Sequence, residues 1–143
     1  MFAPLIDKES AGLYNCLDGG LFMSLCREIN HIFEPTPLQC GQAVLAMLSG
    51  KTVDEIIELC GTERETKLKD MISVLKKLGI EMCGERKAVR NKRELPGIAV
   101  LSLETPHCWH WSLYANGVFY DPEYGVLDDF PPSERRYFFE VKK

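Results

Sequence analysis

The apolar residues of this 143-residue chain change their period once, near Gly79, and that change constrains the fold more than any other feature. Before it they recur at helical spacing; after it they fall into short runs separated by turn residues. Cys40, Ala43, Val44, Met47 and Leu48 lie at i, i+3, i+4, i+7 and i+8, one apolar face of an amphipathic helix that Gly50 ends. Thr52-Val53-Asp54-Glu55 is a capping box, in which the hydroxyl takes the amide three residues on and the glutamate reaches back. The helix it opens closes at Gly61. Leu68, Met71, Ile72, Leu75 and Leu78 predict a third helix over 66–78, with Gly79 as its stop. Strands are expected at 80–83, 98–103, 110–114, 118–121 and 137–141. The continuous apolar run at 98–103 suits a strand buried on both faces. Helices first and an antiparallel sheet afterwards make an α+β protein.

One domain over 1–143 is expected, with a helical half at 34–85 and a sheet half at 96–143. Segment 1–33 has no assigned role. Within it Leu21, Phe22, Leu25, Cys26 and Ile29 suggest a weak helix after an Asp18-Gly19-Gly20 turn. A chain this long buries about two-thirds of its unfolded surface, so its 45% hydrophobic content suffices for a core without staples. No apolar run approaches the roughly 20 residues of a membrane helix. The first residues lack the basic-then-apolar pattern of a secretory signal. A cytoplasmic protein without membrane insertion is expected. The net charge of −4 argues against nucleic acid as a partner. Arg86, Lys87, Arg90, Lys92 and Arg93 read as a solvated basic loop.

Six cysteines sit at 16, 26, 40, 60, 83 and 108, with no Cys-x-x-Cys among them. Without an export signal, most are expected to be small reduced core residues. His107, Cys108 and His110 are close in sequence, but the two histidines project from opposite sides of a strand. No metal site and no organic cofactor are implied.

Cys40 stands apart. It follows the extended, proline-stiffened Pro35-Thr36-Pro37-Leu38-Gln39 and opens a helix, where unpaired amides and the macrodipole favour a thiolate. Gly41 leaves room for a carbonyl to approach those amides. A nucleophile needs a base, and the Asn116-Gly117 hairpin selects one. A two-residue turn there pairs Ala115 with Val118, Tyr114 with Phe119 and Ser112 with Asp121. Extended, this register puts His110 on the face of Asp121, one diagonal step away, and His107 on the other. A carboxylate in that position fixes an imidazole's tautomer and orientation. Pro122 ends the ladder. Glu123 is a competing partner for His110. Trp109 and Trp111 flank the base and suit a substrate groove, although Trp111 is expected to face the core.

These residues carry a resemblance. Pro35-Thr36-Pro37-Leu38-Gln39-Cys40-Gly41-Gln42-Ala43, His110-Trp111 and Gly117-Val118-Phe119-Tyr120-Asp121-Pro122 resemble the papain-like cysteine peptidases that cut bacteriocin leader peptides after a double glycine. The likeness, over about 34–125, is closer to stand-alone relatives without a transporter. It implies a papain-like fold and a peptide or protein substrate, with Cys40 as nucleophile, His110 as base and Asp121 as the group orienting it. One position departs from the family, which has a glutamine six residues before the nucleophile to donate to the oxyanion. Here it is Glu34, which donates only when protonated. Gln39 is the other oxyanion-hole candidate. The reading is a cysteine hydrolase working through an acyl-enzyme. A glutamine deamidase or acyltransferase with the same triad remains open, as does a catalytically silent peptide-binding module. Gly19-Gly20, after Tyr14 and Leu17, faintly resembles a double-glycine leader, but an ordinary turn is expected there.

Overall fold

A computed structural model describes residues 29–142. The weak helix expected from Leu21, the Asp18-Gly19-Gly20 turn, Cys16 and Cys26 lie outside the described residues.

Three helices form where the periodicity places them: α1 (Cys40–Ser49), α2 (Val53–Cys60) and α3 (Leu68–Lys77). Gly50 ends α1 and Gly61 ends α2, both left-handed, at φ 80° and 75°. The capping box of α2 is formed, with Glu55 N–H donating to Thr52 Oγ1 at 3.1 Å and Thr52 N–H to Glu55 Oε1 at 2.9 Å. Helix α3 starts two residues later than its apolar pattern predicts. Thr66 is instead packed against the first turn of α1.

The strands are β1 (Glu81–Met82), β2 (Lys87–Ala88), β3 (Ile98–Glu104), β4 (Trp109–Ala115), β5 (Val118–Asp121), β6 (Gly125–Leu127) and β7 (Arg136–Lys142). They make one sheet in the order β1-β7-β3-β4-β5-β6, with β2 also paired to β7, and all pairings are antiparallel. Asn116 and Gly117, at φ 50° and 93°, make the tight turn that joins β4 to β5. Ala115 pairs with Val118 and Tyr114 with Phe119, the predicted register.

The helices cover one face of the sheet, where Val44, Leu48, Met71 and Leu75 meet Val100, Leu113 and Phe139. On the other face Ala99, Leu101, Leu103, Tyr114, Phe119 and Phe138 form a second core, closed by Val89, Leu95 and Phe130 from the connections. Strand β3 is thus buried on both faces, as its unbroken apolar run requires.

Two expectations need correction. The basic stretch is not a plain loop: it contains β2 and a 3-10 turn at Lys92–Glu94, and Arg86 stacks over the Tyr137 ring at 4.1 Å. Nor are most of the described cysteines core residues. Cys40 is buried, Cys60 and Cys83 are half-buried, and Cys108 is exposed in the turn before β4. All four are free thiols. No helix among the described residues is long and apolar enough to cross a membrane.

Candidate active site

The site lies where the first turn of α1 meets the start of β4. Cys40 is the first residue of α1, and the first-turn amides of a helix have no partner within it. Trp111 of β4 donates its backbone N–H to Cys40 Sγ at 3.5 Å, so the sulfur faces a further hydrogen-bond donor. Gly41 is required by close approach. A Cβ there would overlap Thr66 Oγ1 and come within 3.2 Å of the Trp111 ring. The loop carrying Thr66 is stitched to α1 by two glutamines. Gln42 Nε2 donates to the carbonyls of Thr62 and Arg64, at 3.1 and 2.7 Å, and Gln39 Nε2 donates to that of Glu63 at 3.1 Å. One of the two Gln39 Nε2 protons is therefore engaged by this loop.

His110, buried at the start of β4, donates from Nε2 to Asp121 Oδ1 at 3.0 Å. Asp121 accepts from Ser112 Oγ through its other oxygen at 2.7 Å. Oδ1 also takes the backbone amides of Glu123 and Tyr124, at 2.8 and 2.9 Å. Four donors thus hold a fully buried carboxylate. Glu123 supplies an amide to that shell, so its backbone supports Asp121 instead of its side chain competing for His110. Burial is the largest single influence and opposes charge on both members of the pair, but their mutual hydrogen bond and opposite charges, together with their other partners, outweigh it. His110 is pushed up to about 10, helped by its hydrogen bond to Cys40. Asp121 is held below the usual carboxylate range, with Ser112 and the Tyr124 amide assisting. Because Nε2 is taken by Asp121, Nδ1 is the ring nitrogen left for the thiol.

A strap over 31–34 closes the site from the N-terminal side. His31 Nε2 donates to the Asp121 carbonyl at 2.7 Å, and Glu34 N–H donates to the Pro122 carbonyl at 2.9 Å. Phe33 packs over Gly125. The strap carries Glu34 to the chemistry: ligand atoms of Glu34, Cys40 and His110 all lie within 4.8 Å of one another. Burial pushes the Glu34 carboxyl up; the positive His110 opposes this, while Glu123 and Asp121 add to it. Its Oε1 is buried without a hydrogen-bond partner.

A cleft of about 560 Å³ opens beside Cys40 and His110. Pro37, Leu38, Trp109 and Trp111 form its apolar walls. Trp111 does both things expected of its neighbourhood, packing on the helix-side core and lining the cleft. His107 and Cys108 sit exposed on the rim, apart from the cluster of Glu34, Cys40 and His110. The sequence reading places Ser112 opposite Asp121 but assigns no role to Ser112, Gln42 or His31. For Ser112 the hairpin register was the signal available.

No family model and no curated protein sequence matches the chain. Solved structures do. One is a double glycine motif protease from an AMS/PCAT transporter, in complex with the leader peptide. It superposes with a TM-score of 0.54 at 18% identity, covering 78% of this chain and 91% of that one. The peptidase domain of Streptococcus ComA, a bifunctional ABC transporter of a quorum-sensing pathway, gives 0.54 at 17% identity. That match covers 78% of this chain and 97% of the other. The described α+β architecture is therefore the papain-like fold of double-glycine peptidase domains.

Proposed function

We propose that this protein is a cysteine hydrolase, a peptidase that cleaves an amide bond through Cys40, His110 and Asp121. One observation carries the reading. A fully buried, four-donor Asp121 holds His110 by Nε2, leaving Nδ1 to face a thiol at a helix N-terminus. In this reading the Cys40 thiolate attacks the scissile carbonyl carbon and the C=O π pair moves to oxygen. The Cys40 backbone amide receives that oxyanion. As the C–N bond breaks, His110 gives its Nδ1 proton to the leaving amine and a thioester remains on Cys40. His110 then takes a proton from water, whose oxygen attacks the thioester and releases the acid and the thiolate.

The apolar cleft walls suit an extended peptide, and the fold likeness points to a double-glycine peptide as the substrate class. Iodoacetamide labelling tests the machinery. Cys40 should alkylate ahead of Cys60, Cys83 and Cys108, and that preference should vanish in His110→Ala. Cleavage of a double-glycine peptide, read by mass spectrometry, tests the reaction. A gain of about one dalton without fragments would mean deamidation instead.

Glu34 favours a second reading, a peptide-binding module without turnover, because a carboxylate beside the developing oxyanion opposes it. Peptide binding unchanged in Cys40→Ala, with no cleavage at any pH, would select that module.

A further inference from the structure

We propose that Glu34, Cys40 and His110 form a binding site for a Zn²⁺ ion. Its ligands come from three separate elements: a carboxylate on the strap, a thiol opening α1 and an imidazole at the start of β4. Their ligand atoms lie within 4.8 Å of one another. Zinc bonds of about 2.0–2.3 Å put tetrahedral ligand atoms roughly 3.4–3.6 Å apart, so side-chain rotations of about an ångström close the set.

The donor chemistry selects the metal. Thiolate and imidazole are poor ligands for magnesium or calcium, whereas sulfur, nitrogen and carboxylate oxygen together suit zinc. The thiolate and the carboxylate offset both charges of the ion. A glutamine at position 34 would supply neither a charge nor so strong a ligand.

Two further observations fit the same occupant. Glu34 Oε1 is buried without a hydrogen-bond partner, and a metal bond would satisfy it. His110 already donates its Nε2–H to a buried carboxylate that is itself fully hydrogen-bonded. That is the support a metal-binding histidine ordinarily has, with Nδ1 left for the ion. The fourth position opens onto the cleft, where water completes a tetrahedron. Binding to the thiolate–imidazolium pair releases the His110 Nδ1 proton, and the sulfur lone pair becomes a metal bond. Zinc therefore masks the thiol. That this regulates hydrolysis rests on the reading above; that the ion binds does not.

The test titrates Zn²⁺ into the EDTA-stripped, reduced protein against a chromophoric chelator, with Co²⁺ as a spectroscopic substitute. One ion per chain is expected, with a thiolate-to-cobalt charge-transfer band. Glu34→Gln should weaken zinc by about tenfold or more, and Cys40→Ser should abolish the band. The double variant His107→Ala, Cys108→Ser, which removes the donors on the rim, should bind as the parent does. Absence of binding, equal affinity in a folded Glu34→Gln, or loss of binding in the rim variant would overturn the site. If Glu34→Gln does not fold, the parent protein decides by itself: zinc must slow iodoacetamide at Cys40 at least tenfold while Cys60 and Cys83 label unchanged. Labelling of metal-free protein reports separately on the proposed hydrolase. A reactive Cys40 that ignores zinc sinks only the metal site, and a zinc-binding Cys40 that never alkylates sinks only the hydrolase.

Discussion

His31 and Asp121, ninety residues apart, meet through one hydrogen bond, in which His31 Nε2 donates to the Asp121 carbonyl at 2.7 Å. The backbone of the residue orienting His110 is thus gripped by the strap that also delivers Glu34. Replacing His31 by Ala removes the donor and leaves a carbonyl at the end of β5 short of its partner. The expected cost is about 0.5–1.5 kcal/mol, read as a lower urea midpoint. Slower iodoacetamide labelling of Cys40 should accompany it. An unchanged midpoint would mean that the Glu34 amide and the Phe33 contact hold the strap by themselves.

The buried His110–Asp121 pair sets the pH dependence of stability. His110 is raised in the fold from 6.5 to about 10. Its contribution is therefore complete below about 6.5 and is lost progressively as pH climbs through about 10. Asp121 is lowered from 3.8, so its contribution is present above 3.8 and fades as pH falls through the lowered value. Greatest benefit falls between these limits. Thermal melts across pH, with EDTA present, should show the parent losing stability on the alkaline side while His110→Gln stays flatter. Parallel curves for the two proteins would contradict the charge assignment.

Gly41→Ala sets helix propensity against packing. In an exposed helix interior, Ala is favoured over Gly by about 1 kcal/mol. Here the added methyl would overlap Thr66 Oγ1 and crowd the Trp111 ring, in a loop pinned by Gln39 and Gln42. Overpacking of this kind costs about 1–3 kcal/mol, so net destabilisation is expected by urea titration, together with slower Cys40 labelling. Stabilisation would show that Thr66 rotates away without cost.

The parts of the fold that were legible share one property: their cause is local. Gly50, Gly61 and the Thr52–Glu55 box bound the helices by backbone chemistry that needs no partner. Asn116-Gly117 likewise fixes a register, and the register carries His110 to the face of Asp121. What escaped depends on the assembled chain. Strands β2 and β6, of two and three residues, are too short for any period to be visible. Cys60, Cys83 and Cys108 have the composition of core residues, yet their burial is decided by which side of an element meets the rest of the molecule. The bond from Gln39 to the Glu63 carbonyl depends on a loop that only the assembled chain brings beside it. His31 reaches Asp121 only because the strap returns across the end of β5.

Glu34 offers the sharpest test of the hydrolase reading. In the thiolate mechanism negative charge grows on the substrate oxygen beside Cys40, and a Glu34 carboxylate within 4.8 Å of the reacting groups opposes it. Burial raises the Glu34 carboxyl, so the protonated, donating form gains ground toward acid pH and is lost toward alkaline. Glu34→Gln replaces this with an amide that donates at every pH. Since one oxyanion donor is worth about 10²–10³ in rate, the variant should cleave a double-glycine peptide faster. The gain should grow as pH rises and approach that limit only where Glu34 is fully ionised. EDTA in the assay keeps metal affinity out of the comparison, and mass spectrometry of the fragments measures it directly. Slower cleavage by Glu34→Gln at every pH would mean that the carboxyl helps the reaction, and that the oxyanion is received elsewhere in the site.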